Sequence, residues 1–86
     1  MPLELYGTAS CPHTAELRED LEWRAQEFVE YDVDNDHTAL QRMLALTGGN
    51  RMVPVLVQDG RVEQIGWRGL GCYVAAASES GAYPGR

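Results

Sequence analysis

The spacing of apolar and polar residues divides the first part of the chain into alternating strands and a helix. "LELY", Leu3 to Tyr6, alternates weakly and is apolar enough to predict a short strand. From Pro12 to about Gln26 the apolar positions fall near helical spacing, with Arg and Glu between them. Proline suits the first position of a helix because its missing N–H would have no partner there. "FVEYDV", Phe28 to Val33, predicts the second strand.

The second part of the chain predicts a helix followed by a hairpin. Residues 34–36, "DND", offer N-caps for a helix with apolar positions at i, i+3, i+4 and i+7, which the glycines at 48–49 end. "VPVLV", Val53 to Val57, is typical of a buried strand. Asp59-Gly60 is a favoured two-residue hairpin turn, so "RVEQI", Arg61 to Ile65, should pair with that strand in antiparallel orientation.

A last helix is predicted from about Leu70 to Ser78, and "SGAYPGR" resembles a frayed tail. We therefore expect one domain over residues 1–79 and a flexible tail over residues 80–86. The order is β-α-β-α-β-β-α. A helical crossover makes the first two strands parallel, and the hairpin adds two antiparallel strands. This predicts an α/β, thioredoxin-like fold with a four-stranded mixed sheet flanked by three helices.

Length and charge narrow the class of protein. A chain of 86 residues predicts a single domain with a small core. The net charge of −6 and only seven basic residues argue against a nucleic-acid partner. The N-terminal residues do not resemble a signal peptide, and no stretch is apolar enough for a membrane span. We expect a cytoplasmic monomer without a membrane or nucleic-acid partner.

The candidate chemistry lies at "SCPHT", where one cysteine stands between a strand and the start of a helix. Cys11 is placed at the N-cap by Pro12. Unpaired N–H groups and the helix dipole stabilise a thiolate there and lower the thiol pKa. The alternative is that Cys11 is a small buried apolar residue, as free cysteines often are.

Two longer stretches carry a resemblance to a known family. "YGTASCPHT", "TGGNRMVPVLVQDGRVEQIGW" and the element order together resemble the glutaredoxin family, in its small bacterial branch, over roughly residues 3–78. In that family Cys-Pro-x-Cys or Cys-Pro-x-Ser opens the first helix, and a Val-Pro pair with a cis proline begins the third strand. Cys11, Val53 and Pro54 match these positions. Some relatives of this branch carry selenocysteine where this chain has Cys11.

The resemblance implies a thiol–disulfide oxidoreductase that takes part in electron transport and cell redox homeostasis. Its substrates would be disulfides or glutathionylated molecules. Thr14 stands where the motif has its second cysteine, so Cys11 would act through a mixed disulfide that another thiol resolves, which is the monothiol mechanism. Pro54 would face the sulfur and leave the Val53 backbone free to pair with the incoming peptide.

Departures from the family pattern concern the reductant. The resemblance predicts a lysine three residues before the catalytic cysteine, where this chain has Thr8, and a Gly-Gly acidic segment where it has "GWRGLG". Arg51 does match a basic position that contacts glutathione in the family. "GWR" resembles a segment of the redoxins that serve ribonucleotide reductase and accept electrons from thioredoxin reductase. We expect weak glutathione binding, with glutathione or thioredoxin reductase as the reductant.

Four side chains near the motif have two interpretations each. The Thr14 hydroxyl either donates to the Cys11 thiolate or has no chemical role, and His13 either favours the thiolate beside the substrate site or is an exposed linker. Trp67 either packs against the fold or forms a lip of the substrate groove. Cys72, near the start of the predicted last helix, either fills core space or resolves a disulfide, which would need its Cα within roughly 7 Å of that of Cys11.

Two other functions remain open from the sequence. One is a binding protein that holds an iron–sulfur cluster or a thiol, as some monothiol glutaredoxins do, although those usually carry Cys-Gly-Phe-Ser. The other is a thioredoxin-like adaptor without redox activity. No metal is expected, because the two cysteines and two histidines do not fit the spacing of structural zinc sites.

Overall fold

The first two strands are parallel neighbours joined by a helix. The structure, a computed structural model, describes residues 3–74. Strand β1 spans Leu3–Gly7, helix α1 spans Pro12–Trp23 and strand β2 spans Phe28–Asp32. β1 and β2 pair in parallel along their full lengths, from Leu3–Phe28 to Gly7–Asp32. The parallel pairing predicted from the helical crossover is confirmed.

Local capping signals set the second helix. Helix α2 spans His37–Thr47, and the Asp36 carboxylate accepts a hydrogen bond of 3.0 Å from the backbone N–H of Ala39. This is the ordinary N-cap contact, in which a side-chain oxygen satisfies one of the unpaired N–H groups of the first turn. Gly48 ends α2 with a φ of 73°, a left-handed conformation that favours glycine.

Three short strands follow α2. Strand β3 spans Met52–Val53, β4 spans Val55–Gln58 and β5 spans Arg61–Ile65. The turn between β4 and β5 has positive φ at both central residues, 54° at Asp59 and 76° at Gly60. Such a turn matches the twist of the two strands, so the predicted antiparallel hairpin is confirmed.

The main sheet has the order β2-β1-β4-β5, with β1 antiparallel to β4. Its two faces bury different side chains because successive residues of a strand point to opposite sides. One face joins Tyr6 to Met43 of α2, and the other joins Leu5 to Leu17 and Leu21 of α1. The four-stranded mixed sheet of a thioredoxin-like fold is therefore confirmed, and residues 3–74 contain two of the three predicted helices.

Three predicted boundaries differ from the structure by a few residues. α1 ends at Trp23 rather than near Gln26, because Ala25 takes a left-handed φ of 57° that closes the helix. The second strand ends one residue before Val33. The predicted strand "VPVLV" is two strands, since Pro54 interrupts the pairing between β3 and β4.

The prediction of a helix that begins near Leu70 is wrong. Cys72–Tyr73 forms strand β6, which pairs with β3 in antiparallel orientation. The chain just before it makes a tight turn, in which Trp67 and Leu70 exchange backbone hydrogen bonds of 2.7 and 2.9 Å. Residues 75–78 of that predicted helix, the tail over 80–86 and the domain boundary between them lie outside the described residues.

Within residues 3–74, neither helix has the length or the apolar character needed to cross a membrane.

The first turn of α1 packs directly on the end of β1. Thr14 is fully buried, and a Cβ added at Gly7 would lie 2.7 Å from its Oγ1 and closer still to its Cγ2. Gly7 is therefore required for space at this contact, which holds the start of α1 against the sheet.

We predict that Gly7→Ala destabilises the fold by about 1–3 kcal/mol, the usual cost of overpacking a well-packed core. The Thr14→Ala background removes the two closest atoms, so the same substitution should cost clearly less there. Urea denaturation of the four proteins measures both values. Equal costs in the two backgrounds would show that this contact does not limit the space at Gly7.

Candidate active site

Cys11 lies where β1 leads into α1. It is the N-cap of α1, with extended φ and ψ of −87° and 116°, and Pro12 occupies the first helical position. Both placements predicted from the sequence are confirmed. The Cys11 carbonyl accepts bonds from the N–H groups of Thr14 and Ala15, at 3.1 and 3.3 Å, which begin the helix. The side chain is 1% exposed.

The surroundings of Cys11 favour its thiolate. Burial of the sulfur raises the pKa, but several hydrogen-bond donors lower it by more, so the pKa of Cys11 lies below its ordinary value. These donors are, in order of effect, the Cys72 thiol, the backbone N–H and hydroxyl of Thr14, and the backbone N–H of His13. The Cys11 side chain makes no capping hydrogen bond at the helix start.

Thr14 supplies a hydroxyl that has no other use in the structure. Its Oγ1 is buried and has no hydrogen-bond partner, which is costly for a hydroxyl in a core. Donation from this hydroxyl to the Cys11 thiolate would satisfy it, and that contact lowers the pKa of Cys11. The chemical role of Thr14 stays a prediction, because the structure shows no hydrogen bond from this hydroxyl.

His13 contributes to the site through its backbone. Its N–H is among the groups that lower the pKa of Cys11. The imidazole is only partly exposed and lies beside Glu16, with 3.6 Å between Nδ1 and the carboxylate Oε1. The side chain is therefore directed along α1 toward an acidic neighbour.

Pro54 is buried and follows a cis peptide bond, as the resemblance predicts. Val53, the residue before it, is fully buried in the same core cluster as Cys11. The structure thus brings Cys11, Val53 and Pro54 to one region, although they come from two separate parts of the sequence.

The Val53 backbone is already paired. Val53 and Cys72 face each other in the antiparallel pair of β3 and β6. Two residues opposite each other in an antiparallel pair either exchange two hydrogen bonds directly, or the hydrogen bonds are made by the residues on either side of them. For Val53 and Cys72 the second pattern would need a backbone N–H on Pro54, and proline has none. Val53 and Cys72 therefore exchange both bonds. This contradicts the expectation that the Val53 backbone is free for an incoming peptide.

Arg51 and Trp67 have different surroundings. Arg51 is exposed at the start of β3, and its carbonyl accepts a 3.0 Å bond from the N–H of Val74. Trp67 packs on the core cluster that contains Leu17 and lines a shallow cavity along α1, with the Arg68 guanidinium 5.5 Å from its ring centre. The described surroundings of Trp67 support a packing role on the α1 face.

The sequence interpretation missed the position of Cys72 and the reason for Gly71. Cys72 is partly buried against the cluster that contains Cys11. A Cβ at Gly71 would overlap the Val53 carbonyl oxygen and lie 2.9 Å from Met52 Cγ, so glycine lets β6 approach β3 closely. The signal was present in "GLG", since two glycines around Leu70 disfavour a helix start.

Within the part of the chain that the structure describes, no three His, Cys, Asp or Glu side chains gather in a way that could hold a metal ion.

Comparisons with known proteins agree with this geometry. The glutaredoxin family model matches residues 3–63. A protein of Synechocystis sp. named as a probable glutaredoxin is 36% identical over 58 residues, which cover 66% of this chain and 53% of that protein. The chain therefore spans about half the length of this curated relative. No solved structure gives a significant match. The matched residues include the Cys11 motif and the Val53–Pro54 pair, and the chain belongs to the glutaredoxin family.

Proposed function

We propose that this protein is a thiol–disulfide oxidoreductase in which Cys11 forms a mixed disulfide with its substrate. Glutaredoxins as a family act on disulfide or glutathionylated substrates and use glutathione as the reductant. The observation that carries the proposal is the position of Cys11 at the N-cap of α1, in one buried cluster with Val53, which precedes the cis Pro54. The pKa of Cys11 is lowered there, which favours the thiolate. A thiolate is the nucleophile of disulfide exchange.

The proposed reaction begins when the Cys11 thiolate attacks one sulfur of a substrate disulfide. The S–S bond of the substrate breaks, one thiolate leaves and takes up a proton, and the other half stays bound to Cys11. Thr14 cannot close a disulfide, so a second thiol must attack the mixed disulfide. Its thiolate forms a new S–S bond with the substrate sulfur, the bond to Cys11 breaks, and Cys11 leaves as the thiolate. The motif is therefore of the monothiol type.

The same surroundings support only weak binding of glutathione. Thr8 is buried and stands where the family pattern has a lysine, and the Val53 backbone is paired with Cys72. Arg51 remains exposed as a basic group beside the site. "GWR" supports thioredoxin reductase as another candidate reductant.

We predict that Thr14→Val moves the pH midpoint of Cys11 alkylation upward. A thiol with a lowered pKa loses its proton at lower pH, so removal of one donor shifts the thiolate to higher pH and slows alkylation below the midpoint. Iodoacetamide labelling followed by trypsin and mass spectrometry reads Cys11 separately from Cys72, since Arg18 and Arg68 place them on different peptides.

His13→Ala is the matched control for that experiment. It removes the imidazole and keeps the backbone N–H that favours the thiolate, so the midpoint should stay where it is in the unchanged protein. A Thr14→Val midpoint at or below the original one would contradict the role of the hydroxyl.

We predict that Cys11→Ser abolishes reduction of a disulfide substrate, because a serine hydroxyl does not replace the thiolate in this exchange. The assay is reduction of bis(2-hydroxyethyl) disulfide with a thiol reductant, and the rate should fall to that of the reaction without protein. Activity retained in Cys11→Ser would refute the proposed function.

We predict slow turnover when glutathione at millimolar concentration is the only reductant. Loss of one charge-assisted hydrogen bond costs about 1.5–3 kcal/mol, so two additive losses would weaken glutathione binding by about a hundredfold or more. The comparison is a dithiol glutaredoxin in the same coupled assay. Equal rates for the two proteins would show that the departures at Thr8 and "GWRGLG" do not limit glutathione.

A further inference from the structure

The structure places a second thiol beside the proposed nucleophile. Cys72 lies in β6, and its side chain packs against the buried cluster that contains Cys11. Both cysteines are free in the structure, Cys11 buried and Cys72 partly exposed. Cys72 is thus the more exposed of two thiols at one cluster.

The strand pairing fixes which way Cys72 faces. Residues directly opposite each other in an antiparallel pair point to the same face, so the Cys72 side chain lies on the side of Val53. Val53 is fully buried in the cluster that contains Cys11. Tyr73 points to the other side and is 71% exposed. This alternation directs Cys72 inward independently of any charge on Cys11.

Backbone contacts hold β6 in this register. Besides the two bonds exchanged by Val53 and Cys72, the N–H of Val74 donates to the Arg51 carbonyl at 3.0 Å. Gly71 gives the close approach that a larger residue would prevent. Cys72 is therefore held at the site by the backbone on both sides of it.

We propose that Cys72 is the resolving thiol of this protein and closes a disulfide with Cys11 during turnover. This inference rests on the proposed function, because it starts from the Cys11 mixed disulfide. The Cys72 thiolate attacks the Cys11 sulfur, the bond to the substrate half breaks, and the released thiolate takes up the proton that Cys72 lost. The substrate disulfide is thereby reduced to two thiols and the protein holds a Cys11–Cys72 disulfide. Two equivalents of a small thiol, or one dithiol, reduce it again.

The charge state of Cys11 affects the pKa of the Cys72 thiol. In the reduced protein the pKa of Cys72 is raised by its hydrogen bond to Cys11, by burial and by the charge of Cys11. Once Cys11 is part of a mixed disulfide it carries no charge and no longer accepts that hydrogen bond as a thiolate. The Cys72 thiol then ionises more readily, at the step in which it must attack.

The same strand occupies the position of an incoming peptide. A substrate that pairs with the Val53 backbone must displace β6, since both groups of Val53 are engaged by Cys72. When β6 pairs again with β3, it returns Cys72 to the mixed disulfide and excludes the released product from Val53. The Val53 backbone would then pair with the substrate when it enters and with β6 when the mixed disulfide is resolved.

The test is a single oxidation of the full chain, followed by intact-mass and peptide mass spectrometry. Reduced protein, freed of reductant, is incubated with bis(2-hydroxyethyl) disulfide and quenched with acid. The unchanged protein should lose the mass of two hydrogens, with Cys11 and Cys72 joined. Cys72→Ser should instead accumulate a hydroxyethylthio adduct on Cys11.

Two further variants test whether the position of the Cys72 thiol matters, and not only its presence in the chain. Gly71→Ala keeps the thiol but forces β6 away from Val53, so the Cys11 adduct should accumulate as in Cys72→Ser. Tyr73→Ser alters the exposed neighbour on the same strand and should form the disulfide like the unchanged protein.

The outcomes distinguish this inference from the function on which it rests. Equal accumulation of the Cys11 adduct in the unchanged protein and in Cys72→Ser would overturn the resolving role and leave the proposed function intact. Absence of any Cys11 adduct in Cys72→Ser would overturn both.

Discussion

The site depends on the backbone pairing between Val53 and Cys72. Pro54 follows Val53 and has no backbone N–H to donate. Val53 and Cys72 must therefore pair by exchanging both backbone hydrogen bonds with each other. That requirement pairs β6 with β3 just before the cis Pro54 and directs the Cys72 side chain toward the buried cluster that contains Cys11. The surroundings of the nucleophile are therefore completed by a strand that enters from the far end of the described chain.

The start of α1 supplies the other half of the site. A buried sulfur is a poor place for a negative charge, and burial alone would raise the pKa of Cys11. Hydrogen-bond donors reverse this effect on the pKa, first the Cys72 thiol and then the N–H groups and the Thr14 hydroxyl at the helix start. Thr14 can serve there only because Gly7 leaves room for it against β1. The Thr14 side chain thus both packs against β1 and affects the pKa of Cys11.

The two halves give a single-thiol motif access to dithiol chemistry. Thr14 stands where the related motif has a second thiol, and in the proposed mechanism Cys72 provides that thiol from another strand. A resolving cysteine on a separate element can leave and return with that element, whereas one in the first turn of α1 is fixed to the helix. Competition for the Val53 backbone would couple that movement to the arrival of substrate.

The sequence by itself determined the local features of this protein. Contacts between near neighbours, or short connections that limit the topology, account for the N-cap at Cys11, the Asp36 cap of α2, the parallel pairing of β1 with β2 and the hairpin at Asp59-Gly60. The family pattern added the cis Pro54. Only the tertiary structure decided that Cys72 lies in a strand rather than a helix. The backbone of Cys72 is hydrogen-bonded to Val53, which is distant in sequence. The local pattern around Cys72, an apolar run after two glycines, does not indicate which strand it pairs with. The fit of Thr14 against Gly7 and the packing of Trp67 on the α1 face were decided in the same way, because each depends on how separate elements meet.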